Sequence, residues 1–437
     1  MSIQVIGLVG MIALVALIFL RVPVAMAMGL VGFFGYASIN GWSNAATVLG
    51  QVPFDMASNY TLVQIPLFIV MGDLAMRSGM SASLFDAARA VFVGVRGAQA
   101  FATIGACAAF GSVSGSSVAT AATMTRIAMP EMRRTGYDDR LSTGAIACGG
   151  SLGILIPPSI PLVIYAIIAE QSVPKLYAAA MIPGLLLTAF YMLSVVPIMA
   201  LRPSWIPTEH DRMSWPERLR AVAKAWQAAV LFVVVLGGMY LGWFTATEAA
   251  AVGAFGAWLM GTLSRRLDLK STLASFSDAI QTTCMLFTIV FSAVVLTYFV
   301  VLTQIPVVLV AWIKEWNVGP VTLMILMMVF YILLGCFLEA FGMLLITVPV
   351  FLPVVVQSGF DPIWFGVMLV IVIELGLIHP PVGMNIFVMQ AQLPDVPVTR
   401  LYQGILAFIP APMIMLGLLI AFPALAMWLP NFLFPPR

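Results

Sequence analysis

Charge is scarce in this chain of 437 residues, with Asp, Glu, Lys and Arg making up 9% of it against 62% hydrophobic residues. A soluble domain carries roughly a quarter charged residues, so a water-soluble fold is excluded. Histidine is scarcer still, His210 and His379 being the two in the chain, and the four cysteines (Cys107, Cys148, Cys284, Cys336) stand isolated without C-x-x-C spacing. Neither a disulfide framework nor a zinc site is supported. With no H-E-x-x-H sequence and no paired motif aspartates, an intramembrane enzyme would lack both nucleophile and base. The formal net charge of +2 sits in short basic clusters that set topology rather than bind nucleic acid, and no nucleic-acid partner is expected. The 28 methionines read as adaptable packing.

What is abundant is apolar sequence, broken only by short polar stretches, which leaves no room for a large soluble domain. A membrane-spanning helix needs about 20 mostly apolar residues. Such runs lie at 3–20, 22–38, roughly 45–76, 177–201, 225–243, 246–263, 279–302 and 404–429. The first could pass for a signal-peptide core, but no basic segment precedes it and another apolar run follows at once, so it reads as a first membrane helix. The expected class is an all-α polytopic membrane protein. Two stretches, 98–170 and 320–392, are too interrupted by Gly and Pro to be simple spans. Irregular backbone at membrane depth is tolerated only where protein buries it or it lines a cavity, so function is sought there.

The two stretches are related. Adding 223 to a position in the first gives its partner in the second: Pro130 and Pro353, Gly136 and Gly359, Asp138 and Asp361, Leu152 and Leu375, Gly153 and Gly376, and Pro157-Pro158 and Pro380-Pro381. Seven identities over 29 positions, mostly Gly and Pro, stand out against a background of Leu, Val and Ala. Tyr137 faces Phe360, and Gln64-Ile65-Pro66 echoes Gln304-Ile305-Pro306 at another offset. The basic clusters orient the chain. Arg202, Arg212, Arg218, Arg220 and Lys224 in one linker, and Arg265, Arg266 and Lys270 in another, belong in the cytoplasm. Counting spans outward puts Arg21, Arg133, Arg134 and Arg140 inside and the N-terminus outside. Residues 98–130 then enter and leave as a re-entrant hairpin from the cytoplasmic side, and 320–357 from the outer side. Two related units of opposite topology mark a transporter with its site at the midplane. A pure channel fits this plan poorly, because such units close around a site.

Each repeat pairs a hairpin tip with a helix broken by Gly and Pro-Pro. The first tip reads Gly111-Ser112-Val113-Ser114-Gly115-Ser116-Ser117 and its break Gly153-Ile154-Leu155-Ile156-Pro157-Pro158-Ser159. Consecutive prolines remove two donors and disfavour helix just before them, so carbonyls there are freed for a hard cation such as Na⁺. Beyond each break a new helix begins, and its bare N–H groups and positive dipole end suit a carboxylate. Candidate cation ligands are therefore Ser114, Gly115, Gly153, Leu155 and Pro157 in the first repeat, and Glu339, Gly342, Gly376, His379 and Pro380 in the second. Candidate substrate ligands are Ser116, Ser117, Thr120, Pro158 and Ser159, with Gly383 and Asn385. Each serine alone can equally cap or pack a helix. His379 suits either proton coupling or a bond to a freed carbonyl, and Glu339, at a tip entered from outside, suits either a ligand role or the water interface. Asp138 and Asp361 read as N-caps, and structural pairing is expected for Asp73, Glu248 and Glu374.

At these residues the chain resembles the large membrane subunit of tripartite ATP-independent periplasmic (TRAP) transporters. The resemblance runs through Ile65-Pro66-Leu67-Phe68 with Met71-Gly72, Ser114-Gly115-Ser116-Ser117, Gly136-Tyr137, the highly specific Leu152 to Ser159, and Pro380-Pro381-Val382-Gly383-Met384-Asn385. It implies Na⁺-coupled import of small carboxylates, such as C4-dicarboxylates or sialic acid, across a bacterial inner membrane. It also implies two partners, a small four-helix membrane subunit, here a separate polypeptide, and a periplasmic binding protein. A scaffold and a transport domain moving as an elevator are implied too: scaffold helices at 1–97, 177–319 (linker 202–224) and a C-terminal helix in 399–437, with the transport domain at 98–176 and 320–398. Its broken helices would occupy 141–170 and 362–392. Residue His379 departs from the small hydroxyl residue expected at that place. A binding-protein-independent anion symporter or ion antiporter is the competing reading within transport.

Overall fold

The computed structural model describes residues 2–207, 213–335, 338–380 and 383–435. His210 and Arg212 in the first basic linker, Cys336, and Pro381 and Val382 of the second break lie outside the described residues. The described chain is helical throughout, with no strand. In order, the helices are α1 (Ile3–Phe19), α2 (Val24–Asn40), α3 (Trp42–Ala57), α4 (Gln64–Arg77), α5 (Met80–Phe92), α6 (Ala98–Ser114), α7 (Ser117–Arg134), α8 (Asp139–Ser151), α9 (Ile160–Ile168) and α10 (Val173–Leu201). After the linker come α11 (Trp215–Lys224), α12 (Trp226–Phe232), α13 (Gly238–Tyr240), α14 (Ala246–Leu263), α15 (Leu269–Thr303), α16 (Ile305–Glu315), α17 (Pro320–Gly335) and α18 (Ala340–Gln357). The chain ends with α19 (Pro362–Ile378), α20 (Met384–Gln392), α21 (Val398–Leu406), α22 (Pro410–Ala421) and α23 (Ala424–Leu433). By length and composition, five helical segments among the described residues suffice to cross a membrane: 60–77, α10, α15, α18 and 398–421. Apolar side chains such as Leu8 and Ile12, 59% and 61% exposed on α1, form an outer surface suited to lipid rather than water.

Local chemistry sets the helix ends. Asp138 and Asp361 cap α8 and α19, accepting from the N–H groups of Arg140 at 2.8 Å and Ile363 at 2.7 Å, which is the capping expected of them. Glu248 closes a capping box with Thr245, and Asp73 pairs with Arg77 at 2.6 Å on the next turn. Two expected spans are corrected. The run 45–76 is not continuous, because Asn59 accepts from the Thr61 N–H at 2.9 Å and turns the chain between α3 and α4. The C-terminal run does not reach 429 unbroken: the segment 398–421 (α21 and α22) ends before Phe422, and α23 starts a new helix after Pro423.

The helices are interrupted at the first tip and the first break, and described helices flank the second tip and the second break. Helices α6 and α7 turn at Gly115 and Ser116, while α17 and α18 flank 336–339. Helix stops at Ser151 and resumes at Ile160, with one 3-10 turn (Leu152–Ile154) between them, and stops again at Ile378 to resume at Met384. Helix α10 packs against α6, α19, α22 and α23, whereas α4 packs against α14 and α15 and α2 against α15. Among apolar helices in lipid, close approach of small residues rather than hydrophobic burial drives association. That approach is tightest at the two breaks. A Cβ on Gly111 would lie 2.6 Å from the Gly153 Cα, and one on Gly335 2.8 Å from the Gly376 Cα. In each repeat, then, the first hairpin arm meets the break at backbone contact.

Candidate ion and substrate site

The first tip and the first break make one cluster. Ser114 is 7% exposed and Thr120 fully buried, and their hydroxyls lie 2.8 Å apart. Thr120 Oγ1 donates to the Ser116 carbonyl at 2.7 Å, and Ser114 Oγ lies 3.5 Å from the same oxygen. Gly153 faces this group directly, since a Cβ there would stand 2.8 Å from Thr120 Oγ1 and 2.9 Å from the Ser116 carbonyl oxygen. Gly115, at φ +63, allows the turn, and a Cβ on it would meet the Pro158 carbonyl oxygen at 3.1 Å. Helix α4 closes one side, with Gly72 against the Ser114 backbone.

The break itself carries bare oxygens. Residues 152–159 are buried, yet the carbonyls of Gly153, Leu155, Ile156, Pro157 and Pro158 accept no hydrogen bond from any described residue. Native proteins pair the great majority of such groups. Part of the cause is local: prolines 157 and 158 supply no N–H to the carbonyls three and four residues before them, those of 153 to 155. The Ile154 carbonyl is the exception, accepting from Ser159 Oγ.

Ser159 bridges the break. It is fully buried and caps α9, with its hydroxyl engaged by the Leu162 N–H at 3.4 Å and given to the Ile154 carbonyl, while its own carbonyl accepts from Tyr177 OH at 3.2 Å. This hydroxyl is spent on holding the break together. Ser116 caps α7 through the Ala119 N–H at 3.3 Å, and Ser117 is the buried first residue of that helix.

The second repeat is less polar and less closed. Gly383, at φ +64, precedes α20, and Asn385 just inside α20 is fully buried with neither side-chain atom bonded. His379 ends α19 in an extended conformation, its Nδ1 2.5 Å from the Pro380 carbonyl oxygen. Gly376 packs on Gly335, but Gly342 faces α2, where a Cβ would lie 3.0 Å from Val24 Cγ1. Glu339 is the N-cap residue of α18, half-buried, with its side chain bonded to no described residue. Among the described residues, no side-chain hydrogen bond links Glu339, Gly342, Gly376 and His379 to one another as Ser114 and Thr120 are linked in the first repeat.

Two features escaped the sequence. Glu374 was expected to pair, yet it is 1% exposed with neither oxygen bonded. The helices packed on α19 (α8, α9, α10, α17, α18, α20, α22 and α23) carry basic residues only near their starts, Arg140 and Lys175, or none. An isolated Glu within apolar sequence was the only signal. The Gly111–Gly153 and Gly335–Gly376 contacts were also unseen, because their members lie about 40 residues apart in sequence.

An all-helical chain with bare oxygens and a buried amide at its helix interruptions has the architecture of a membrane transporter's permease. The profile of the tripartite ATP-independent periplasmic transporter family, DctM component, matches residues 11–425. The chain belongs to that family. It is 35% identical over 404 residues to the C4-dicarboxylate TRAP transporter large permease protein DctM of Pseudomonas aeruginosa, covering 90% of this chain and 94% of that one. It is 29% identical to the sialic acid TRAP transporter large permease protein SiaM of Vibrio cholerae, covering 95% and 96%. The isethionate TRAP transporter permease protein DctMQ of Oleidesulfovibrio alaskensis is 30% identical, over 84% of this chain and 57% of that one. In fold, the chain is similar to the YdaH transporter of Alcanivorax borkumensis, with a TM-score of 0.64 over 89% of this chain and 90% of that one at 16% identity.

Proposed function

We propose that this chain imports small organic acid anions, driven by Na⁺, after a periplasmic binding protein delivers them, and that it works beside a small membrane subunit. The observation supporting this is the oxygen cluster at the first break: two hydroxyls, the Ser116 carbonyl and a run of buried carbonyls without donors. Hydroxyl and carbonyl oxygens, without thiol or imidazole, are the donor set of a hard cation. Ser114, Thr120, Ser116, Gly153, Leu155 and Pro157 would hold Na⁺, which neutralises the approach of an anion. Asn385, at the start of α20, would donate to the carboxylate and accept from a substrate hydroxyl. The similar proteins are named for C4-dicarboxylates, sialic acid and isethionate, all small acids that are anionic at neutral pH. In this reading both hairpins and broken helices travel together as an elevator against α2, α4, α14 and α15, with the N-terminus periplasmic.

The test is uptake into proteoliposomes holding this chain with its small subunit, supplied with the acid-loaded binding protein. Uptake is expected with an inward Na⁺ gradient and not with K⁺ in its place. Equal uptake under K⁺ would sink the coupling, and uptake of free acid without the binding protein would favour a self-sufficient symporter.

A further inference from the structure

Helices α7 and α20 run side by side away from the oxygen cluster. Helix α20 packs on α7, its last residue Gln392 lies with Leu393 against Thr125, Arg126 and Arg133 of α7, and Asp395 just beyond pairs with Arg133 at 2.7 Å. Asn385 lies seven residues earlier on α20, about 10 Å back toward the hairpin tip at 1.5 Å per residue. Arg126 lies nine residues along α7 from Ser117, about 14 Å from that tip by the same rise. Between the two helices opens a cleft of about 910 Å³.

The charges lining this cleft do not cancel. Arg133 is matched twice, by Asp139 at 2.8 Å and by Asp395. Arg126 is exposed and pairs with no acid among the described residues. Gln392 makes no side-chain hydrogen bond to a described residue, and its buried Oε1 is without a donor. An unmatched guanidinium and a carboxamide whose N–H groups are free to donate line the same recess, and together they suit a carboxylate, because guanidinium binds both its oxygens at once.

We infer that the α7–α20 cleft is a second anion site, in which Arg126 and Gln392 receive the organic acid's carboxylate on its way between the break and the side of the membrane where Arg133 lies. This rests on the proposed transport of organic anions for its meaning, but its test does not need transport. The reporter is Pro130→Cys, exposed on the same cleft one turn along α7 from Arg126, in the full chain with Cys284→Ser and Cys336→Ser, labelled in membrane vesicles by an anionic and a cationic methanethiosulfonate of similar size. With Arg126 present the anionic reagent is expected to react faster, and Arg126→Gln should lower the anionic-to-cationic rate ratio about tenfold, the effect of one unit charge some 6 Å away in water. Arg126→Lys should keep the ratio, and millimolar succinate should slow anionic labelling only when the cation is present. A ratio unmoved by Arg126→Gln, or no protection by succinate, overturns the site. Those results would leave Na⁺-driven uptake untouched, while absent uptake with charge-selective labelling would leave the cleft and sink the transport reading.

Discussion

Asn385 is the residue on which the substrate assignment turns. Leaving a buried polar group unbonded costs on the order of 1–3 kcal/mol, and here both the amide nitrogen and the oxygen are unbonded. A residue kept only for the fold has no reason to carry that cost. Asn385→Leu, with the same branched heavy-atom skeleton, should thus leave the thermal midpoint of the purified protein unchanged or raise it, while lowering Na⁺-driven uptake at least about tenfold, the equivalent of ~1.4 kcal/mol of lost binding. A variant that loses stability yet transports normally would make Asn385 a structural amide. The sequence showed which residue types were available but not which hydroxyls were already committed. Ser159 and Ser116 look alike in the string, yet one bridges a break and the other caps α7. Glu374 fails for the same reason, since pairing depends on what packs across from it.

At the scale of elements, the breaks were legible because proline acts locally: the missing donors at 157 and 158 free the carbonyls before them whatever surrounds the segment. The turn at 58–63 was less so, for its polar residues are flanked closely by apolar ones and only Asn59's capping bond marks the interruption. Ties between elements were illegible. Arg133 joins α7 to Asp139 on α8 and to Asp395 in the loop after α20, partners 6 and 262 residues away. The hydrogen bond from Arg133, reinforced by its charge, holds the exposed Asp395 carboxyl below the ordinary aspartate range. A carboxyl depressed in the folded state contributes stability that is present above its unfolded value, about 4, and is lost as pH falls through the lower folded value. Hydrogen exchange at residues 393–397, corrected for intrinsic rate, should therefore be slow at neutral pH and rise below about pH 4. Asp395→Asn should show the fast rate at neutral pH. Slow exchange in that variant would mean the loop is held by the Gln390 amide, which donates to the Leu393 and Val396 carbonyls, and not by the ion pair.

For the whole molecule, composition was enough to fix a helical membrane protein, and the Gly-Pro-Pro run at 153–158 marked the first interruption, since proline disfavours helix whatever packs around it. How the interrupted segments sit against the remaining helices was beyond reach, because it depends on glycine-to-backbone contacts that no periodicity announces. One such contact tests the elevator directly. The tip of the second hairpin rests on α2, where a Cβ on Gly342 would lie 3.7 Å from the Val24 Cβ, within the 3.5–4.5 Å that a disulfide spans. Val24→Cys with Gly342→Cys, in a background lacking Cys284 and Cys336, should cross-link on mild oxidation. If the hairpins move past α2 in each cycle, the oxidised protein transports at background level and thiol reductant restores the reduced rate. If instead the oxidised protein, with the cross-link shown by peptide mass, imports as fast as the reduced one, α2 and the second hairpin form one rigid body. Any motion of substrate would then have to come from the first hairpin alone.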